Sequence, residues 1–418
     1  MSDPVDRRTF LGKTARWSGV LATLSLPGVL AACSDDSSDT TAAPAETAAA
    51  ETEAMAAETT AAMAAETTAA AAATETTAAA ASYGKVAVQL SWFKNIEFAG
   101  DYIAESESYF KEQGFEGSDL IAGGPDVDTL ALILSDKALI TYTGSEIIAG
   151  AIRDNSAPLK IIGANFQKNP FCILSLAEKT PIKTGADMIG KTIGVQAANE
   201  PVWQALLKIL NTTEGDGPDQ IKKVPAGFDP APLLSGEVDG FFSFASNEPY
   251  VIFENTKKAE KPLTPVILLL DTLGFKLYQQ LYAVTEKAFT ERKPELVAAM
   301  TAITKGWQKA IADPELAKKL TLEVYGKELN LEPESQLGEH YEQCRFIEGG
   351  SEVATKGIFY MSEADLAENA KTLGLLGLDF DMAKYYTNEI MDEVYKNGIS
   401  LAEGYTPGMS KAFPAGLS

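Results

Sequence analysis

The feature that most constrains this chain is a regular alternation of short apolar, β-rich segments with helical segments between residues 86 and 270. Short turns separate them, and Gly114 and Pro125 mark the end of two segments. Strands joined by helices through short turns form mainly parallel sheets with covered faces. The predicted strands are 86–90, 119–122, 138–142, 159–164, 192–196, 221–225, 238–244 and 266–270.

Helices fill the spaces between these strands and dominate the chain after Tyr282. Their 3.6-residue periodicity, together with proline at several first turns, sets the predicted bounds. The predicted helices are 99–113, 128–135, 146–153, 201–210, 294–312, 314–325, 363–373 and 382–397.

The first 82 residues differ from the rest. Residues 1–33 combine Arg7 and Arg8, an apolar run at 20–32 and Cys33, an order that resembles a twin-arginine export signal ending in a bacterial lipobox. The resemblance implies lipidation of Cys33 and an extracytoplasmic, membrane-anchored protein. The alternatives are a buried cysteine after an ordinary signal or a plain N-terminal anchor. Residues 34–82 are mostly Ala, Thr and Glu, cannot build a core, and predict a tether spanning roughly 40 Å.

Charge and cysteine content exclude several classes of function. The whole chain carries a net charge of −23, and about −16 remains after the signal and the tether are set aside. An acidic surface disfavours nucleic acid and anionic lipid as partners. Cys172 and Cys344 could pair in an oxidising compartment, but two thiols far apart in sequence are more often unpaired and buried, and His340 is the only histidine. We therefore predict no metal and no cofactor.

Residues 83–418 are long enough for two lobes. Segments 127–146 and 230–249 share a plan of short helix, polar turn and strand, followed by small polar residues and an acidic residue. This repetition favours two similar lobes whose strand ends face a shared cleft, where open α/β sheets bind ligands. The alternative is that any α/β unit looks like this.

Four segments carry a family resemblance: 88–115 (VQLSWFKNIEFAGDYIAESESYFKEQGF), 122–125 (AGGP), 188–196 (MIGKTIGVQ) and 233–244 (LLSGEVDGFFSF). They resemble the periplasmic substrate-binding proteins of ABC transporters, in the branch that contains sulfonate, nitrate and thiamine-pyrimidine binders. The resemblance implies the type II two-lobe α/β fold, with crossing strands near 165–174 and 277–284. Lobe I would comprise 83–167 and 282–418, including a helical C-terminal extension, and lobe II 168–281. It further implies a monomer that serves a permease and its ATPase.

Within this fold, the turn after the first strand becomes part of the ligand wall. Trp92 offers a flat apolar face on which a planar ring can stack, and Asn95 and Glu97 can hydrogen-bond ring nitrogens or amino groups. The alternative is that Trp92 only covers the core of its lobe.

The remaining candidates lie at predicted strand ends or near a crossing. For the hydroxyl residues the alternative role is helix capping, for the amides surface exposure or capping, and for the tyrosine packing. These candidates are Thr143, Ser145, Asn165, Asn199, Glu200, Asn247, Glu248 and Tyr278.

Arginine is scarce, which bears on the ligand. The predicted folded part contains only Arg153, Arg292 and Arg345, and none lies at a predicted strand end facing the cleft. Small anions are usually held by arginine forks or by several aimed backbone donors. We therefore expect a planar nitrogen heterocycle, which the resemblance narrows to a thiamine pyrimidine precursor or a riboflavin-like ring. A binder of sulfonate or nitrate is the alternative within the same class.

Two other classes remain open. The same branch contains pyrimidine synthases, which carry a cysteine-rich run, a cofactor-binding lysine and reactive histidine. The corresponding segment 141–150 has neither lysine nor histidine, so we predict that the chain is not an enzyme. A tethered adhesion or scaffold protein is the third class, and ligand-induced stabilisation would distinguish it from a binder.

Overall fold

The computed structural model describes residues 82–257, 260–378 and 381–412. The predicted signal, with Cys33, and all of the predicted tether except its last residue lie outside the described residues. No helix in the described ranges is both long enough and apolar enough to cross a bilayer.

The first sheet contains five strands in the order β2-β1-β3-β10-β4. Strand β1 pairs in parallel with β2 and β3, and β10 runs antiparallel between β3 and β4. Four of the five strands therefore point the same way, as the alternating pattern predicted. The strands are β1 (Lys85–Gln89), β2 (Gly117–Ile121), β3 (Ile140–Thr143), β4 (Leu159–Phe166) and β10 (Gln279–Thr285).

The second sheet repeats this plan in the order β7-β6-β8-β5-β9. Strand β6 pairs in parallel with β7 and β8, and β5 runs antiparallel between β8 and β9. The strands are β5 (Phe171–Leu176), β6 (Thr192–Gln196), β7 (Lys222–Ala226), β8 (Gly240–Phe244) and β9 (Pro265–Leu269). We call residues 82–166 and 279–412 lobe I and residues 171–269 lobe II.

Two segments cross between the lobes. Residues 167–170 connect β4 to β5, and residues 270–278 connect β9 to β10. The sequence placed the end of lobe II at residue 281, whereas Gln279 already pairs with Phe166 in the first sheet. Lobe I therefore resumes at Gln279, three residues before the predicted boundary at Tyr282.

The helices surround both sheets, and most of those after β10 pack on lobe I. A Cβ on Gly306 would lie 2.1 Å from the carbonyl oxygen of Gly100, so glycine permits the close crossing of two of these helices. The helices are α1 (Ala99–Ser106), α2 (Tyr109–Glu112), α3 (Ala131–Leu134), α4 (Ser145–Asn155), α5 (Glu200–Ile209), α6 (Ala231–Ser235), α7 (Glu248–Thr256), α8 (Glu286–Glu291), α9 (Lys293–Ala312), α10 (Pro314–Leu320), α11 (Pro333–Ile347), α12 (Val353–Lys356), α13 (Glu363–Leu375) and α14 (Glu389–Val394).

The C-terminal segment differs from its prediction. The sequence predicts one helix over 382–397, but the structure contains a short 3-10 turn and α14, separated by residues 385–388. Ile161 of β4 donates to the carbonyl of Tyr385 at 2.7 Å and accepts from the backbone N–H of Thr387 at 2.9 Å. This stretch pairs with the edge strand β4, and those hydrogen bonds replace the helical ones. Helix α11, which matters for the site, was not predicted.

The two described cysteines behave as expected. Cys172 and Cys344 are both unpaired and buried, and burial raises the pKa of each thiol. His340 is also fully buried, and burial lowers its pKa to about 4. These groups are uncharged at neutral pH and serve packing.

Candidate functional site

The turn after β1 carries the first three predicted site residues. Asn95 precedes the 3-10 turn Ile96–Phe98, and its Oδ1 accepts from the backbone N–H of Glu97 at 3.2 Å. The Tyr102 hydroxyl donates to the Asn95 carbonyl at 2.8 Å. Local capping and the hydrogen bond from Tyr102 of α1 therefore help to fix this turn.

Trp92 lies at the boundary between the lobes. Its ring is partly buried and meets Phe228 edge-on, with the ring centroids 5.1 Å apart. Phe228 follows β7 in lobe II and is 40% exposed. Phe93 also packs edge-on against the indole, with the ring centroids 5.4 Å apart. An aromatic of lobe I thus contacts an aromatic of lobe II, and ligand stacking on Trp92 stays a prediction.

Glu97 is the carboxylate of lobe I in this cleft. Gln280 of β10 donates to its Oε1, and the Ser91 hydroxyl donates to Gln280 Oε1 at 2.9 Å. Burial raises the pKa of Glu97 to about 7, the hydrogen bond from Gln280 opposes this shift, and the charge of Glu248 adds to it. The group is therefore partly protonated near neutral pH.

Glu248 supplies the carboxylate of lobe II. It begins α7, and its Oε2 accepts from the Ser243 hydroxyl at 2.9 Å and from the Phe244 N–H at 3.0 Å. Burial raises its pKa, although these hydrogen bonds favour the charged form. Asn247, immediately before it, makes no side-chain capping bond, so the predicted capping role for this asparagine is wrong.

A third carboxylate, Glu339 of α11, completes a cluster with Glu97 and Glu248. It is 3% exposed, and its Oε1 accepts from the Gln336 amide at 2.8 Å. Gln336 also accepts from the backbone N–H of Ile96 at 2.9 Å, next to Glu97. Burial raises the pKa of Glu339, and the charges of Glu248 and Glu97 raise it further. We call Glu97, Glu248 and Glu339 the carboxylate cluster; it can accept N–H donors or positive charge.

Glu200 lies in a different environment. Its Oε2 contacts Lys223 Nζ at 2.8 Å, its Oε1 accepts from Gln204 at 2.8 Å, and its side chain is 42% exposed. The hydrogen bond from Lys223 lowers its pKa. Asn199 donates to Gln196 Oε1 at 2.8 Å and makes no side-chain capping bond. Ligand contact by these two residues stays a prediction, and their present partners lie within lobe II.

Thr143, Ser145 and Tyr278 are buried and already hydrogen-bonded. Thr143 Oγ1 accepts from Thr129 at 2.9 Å, and Ser145 Oγ donates to the Tyr278 carbonyl at 2.7 Å. Gly144, rather than either hydroxyl residue, is the N-cap of α4, so the capping alternative is wrong. The Tyr278 ring lies in the core, and its hydroxyl accepts from the Ser362 N–H at 3.0 Å. Ligand contact by these three side chains stays a prediction without a free polar group to support it.

Asn165 lies near the end of β4 and is fully buried. Neither its Oδ1 nor its Nδ2 has a hydrogen-bond partner, and the same holds for Oε1 of Gln279 and Oε2 of Glu146. The alternative of a surface amide is therefore wrong. Buried polar atoms are usually satisfied, so these atoms are candidates for contact with bound water or ligand.

The lobes also meet outside the polar cluster. A Cβ on Gly338 of α11 would lie 2.2 Å from Tyr250 Cδ1 of α7, so the ring covers this glycine. The Tyr250 hydroxyl donates to Glu342 Oε2 at 3.4 Å. Helix α11 thus contacts lobe II directly while its Gln336 holds the lobe I turn.

Each described arginine is occupied by a neighbouring carboxylate. The pairs are Arg153 with Asp154 at 2.6 Å, Arg292 with Glu295 at 2.6 Å and Arg345 with Glu342 at 2.7 Å. Among the described residues there is also no group of three or more acidic, histidine or cysteine side chains able to hold a metal ion. The arrangement is suited to an organic ligand with hydrogen-bond donors.

Sequence reasoning missed Phe228, Gln280 and Glu339. Phe228 had a usable signal, because it is a large aromatic in a Gly-Phe-Asp-Pro turn after a strand, as Trp92 is after β1. Glu339 and Gln280 had none, since a glutamate on a helix and a glutamine in a strand are ordinary residues until their partners are known.

Two curated proteins are similar to this chain. A formylaminopyrimidine-binding protein from Halalkalibacterium halodurans is 24% identical over 241 residues, which cover 57% of this chain and 69% of that protein. The riboflavin-binding protein RibY from Chloroflexus aurantiacus is 25% identical over 326 residues, which cover 73% of this chain and 86% of RibY.

Solved structures and a family model agree with the fold. A putative periplasmic sulfonate-binding protein SsuA from Methylobacillus flagellatus aligns with a TM-score of 0.51 at 16% identity, covering 79% of this chain and 98% of its own. A variant of the desulfurization enzyme DSZB aligns with the same TM-score at 15% identity, covering 74% and 98%. The family model described as NMT1/THI5 like matches residues 95–317, just over half of the chain. This chain therefore belongs to the NMT1/THI5-like family.

Proposed function

We propose that this protein is an extracytoplasmic solute-binding protein of an ABC importer that captures a planar nitrogen heterocycle between its lobes. The observation that carries the proposal is the meeting of Trp92 from lobe I with Phe228 from lobe II. The carboxylate cluster lies in the same cleft, reached by the turn that bears Trp92. The names of the two curated relatives, which bind a pyrimidine and a flavin, support this class of ligand.

The polarity of the site favours a ligand rich in N–H donors. The charge of Glu248 raises the pKa of Glu97, and both charges raise the pKa of Glu339, so a ligand that brings positive charge or several donors would relieve this repulsion. A sulfonate or nitrate would meet these carboxylates while the described arginines are paired elsewhere. An aminopyrimidine meets the requirement well, and an isoalloxazine ring offers a larger stacking area and one ring N–H.

Lobe closure would complete the site. A ligand stacked on Trp92 gains Asn247 and Glu248 only when lobe II is near, and closure is favoured by contacts that exist only in the closed form. The partners would be a membrane permease and its ATPase, with lipid at Cys33 as the anchor and a monomer as the working form. These remain proposals that rest on family resemblance.

We propose a binder rather than an enzyme. The thiols of Cys172 and Cys344 are buried with raised pKa values, and His340 is buried and uncharged near pH 7. Catalysis of the kinds that use a thiolate or histidine needs such a group at the reacting centre. The DSZB neighbour shows that the fold also accommodates an enzyme, so the distinction depends on the site.

Calorimetry with formylaminopyrimidine, riboflavin and an alkanesulfonate tests the proposal. We expect one of the two heterocycles to bind and Trp92→Ala to weaken that binding by about 1–3 kcal/mol, because an aromatic face is lost. Trp92→Phe, which keeps a ring, should lose less. Tight binding of the sulfonate with neither heterocycle bound would show that the ligand class is wrong.

A further inference from the structure

Gln280 has an unusual backbone conformation. Its φ is +53°, in the left-handed region that glycine adopts freely and that other residues occupy at a cost. It is the second residue of β10, the strand that returns from lobe II into the sheet of lobe I, and it is 6% exposed. A strained residue of this kind is kept where surrounding contacts offset the cost, and such residues concentrate at functional sites.

The Gln280 side chain uses both of its polar atoms on the cleft turn. Its Oε1 accepts from the Ser91 hydroxyl at 2.9 Å, and its Nε2 donates to Glu97. The two partners flank Trp92, at positions before and after it in the same turn. The side-chain amide of Gln280 on β10 therefore joins both sides of the turn that bears the indole.

Three other titratable groups are electrostatically coupled to Glu97. The charge of Glu248 of α7 raises the pKa of Glu97, and the charge of Glu97 raises the pKa of Glu339 of α11 and that of Tyr102 of α1. Gln280 is an uncharged donor among them. An N–H donor stabilises the ionised form of a carboxyl group, so this contact opposes both burial and repulsion.

We propose that Gln280 of β10 is a positioning residue that fixes Glu97 and favours its ionised form for a ligand that brings N–H donors or positive charge. The inference deepens the proposed function and rests on it for the identity of the ligand. The placement of Glu97 by Gln280 does not depend on which ligand binds. Because β10 directly follows the return crossing at residues 270–278, the same contact lies next to the segment that connects the two lobes.

A double-mutant cycle in the ligand-free protein tests the placement. Wild type, Gln280→Gly, Glu97→Gln and the double variant would be unfolded with urea between pH 5 and pH 9. Glycine accepts a positive φ, so Gln280→Gly removes the amide without adding backbone strain. We expect the pH-dependent fall in stability to extend about one pH unit higher in Gln280→Gly than in wild type. In the Glu97→Gln background, Gln280→Gly should cause no pH-dependent difference.

A second variant and a binding arm complete the experiment. Gln280→Asn tolerates the left-handed backbone but is one methylene shorter, and it should behave like Gln280→Gly. With whichever of formylaminopyrimidine and riboflavin binds wild type, Gln280→Gly should bind on the order of tenfold more weakly at pH 7. Parallel pH profiles for wild type and Gln280→Gly, or a difference that persists without Glu97, would overturn the inference. Failure of wild type to bind either heterocycle would instead count against the proposed function, and the ligand-free cycle would still decide the role of Gln280.

Discussion

The tripeptide Asn-Glu-Pro occurs twice in lobe II, and its two copies have different surroundings. Asn199-Glu200-Pro201 begins α5 after β6, and Asn247-Glu248-Pro249 begins α7 after β8. Both prolines lie in the first helical turn, and neither asparagine makes a side-chain capping bond. The local structure is therefore nearly the same at the two places.

The two glutamates nevertheless have opposite electrostatics. Lys223 on the neighbouring strand β7 lowers the pKa of Glu200, whereas burial raises that of Glu248, whose charge in turn raises the pKa of Glu97 and Glu339 of lobe I. The difference teaches that a repeated motif sets a helix start, while the elements packed around it decide whether its carboxylate is a surface ion-pair partner or part of a cleft.

The largest expected effect concerns ligand binding. Glu248→Ala should weaken binding of the heterocycle by about 1.5–3 kcal/mol, the range for a lost hydrogen bond to a charged group. Glu200→Ala, the matched variant from the other copy, should change the dissociation constant less than about twofold, because Glu200 is paired with Lys223. Calorimetry on both proteins measures this directly.

Glu248→Gln is the control for a folding defect, because its amide oxygen can still accept from the Phe244 N–H. Equal losses of affinity in the Glu200 and Glu248 variants would show that the two copies share one role. The different surroundings of the two glutamates would then not decide which of them binds ligand.

The second expected effect is a pH dependence of stability that arises from Glu97. The pKa of Glu97 is raised from about 4.5 to about 7 in the folded state, so the folded protein binds its proton more tightly. The free energy of unfolding should therefore fall as pH rises from about 4.5 to about 7 and then level off. Glu97→Gln should remove about 1–3 kcal/mol of the difference between pH 5 and pH 8.

Asp101 provides the internal comparison for this measurement. Burial raises its pKa to about 7 inside lobe I, away from the cleft, so part of the fall should persist in Glu97→Gln. Urea unfolding at pH 5, 6, 7 and 8 measures both slopes. An unchanged slope in Glu97→Gln would contradict the prediction.

The smallest expected effect is the change in stability on substitution of Glu200, in the first copy of the tripeptide. Glu200→Gln should reduce stability at pH 7 by less than about 1 kcal/mol, since the pair with Lys223 is partly exposed. Because the folded pKa of Glu200 is lowered, this contribution is present above about pH 4.5 and is lost as pH falls through the folded pKa. The wild-type and variant melting temperatures should therefore converge at low pH.

Lys223→Gln should cause at least that loss, because Lys223 also pairs with Glu214 at 3.0 Å. Lys222→Gln, which removes a pair between Lys222 and Asp216, is the control on the adjacent strand residue. A loss in Glu200→Gln that grows toward low pH would mean that the sign of the pKa shift is wrong.

Much of the fold could be predicted because it follows from local patterns of apolar and turn residues in the sequence. Thr192–Gln196 has its predicted bounds, and the parallel direction of most strands followed from their alternation with helices. The sequence also singled out Trp92, Glu97 and Glu248 as site candidates, and ligand contact by these three residues stays a prediction. The break at 385–388 could not be predicted, because it depends on the free edge of β4, more than 200 residues earlier.

The sequence by itself determined where most strands and helices form, where prolines start helices, and that arginine is scarce. These properties depend on side chains within a few residues of one another or on simple counting. The tertiary structure alone decided that Gln280 contacts Glu97 across 183 residues of sequence, that Glu339 joins them from an unpredicted helix, and that Phe228 faces Trp92. Such contacts arise from the packing of elements distant in sequence, and no local sequence pattern shows which of the many glutamates will be buried.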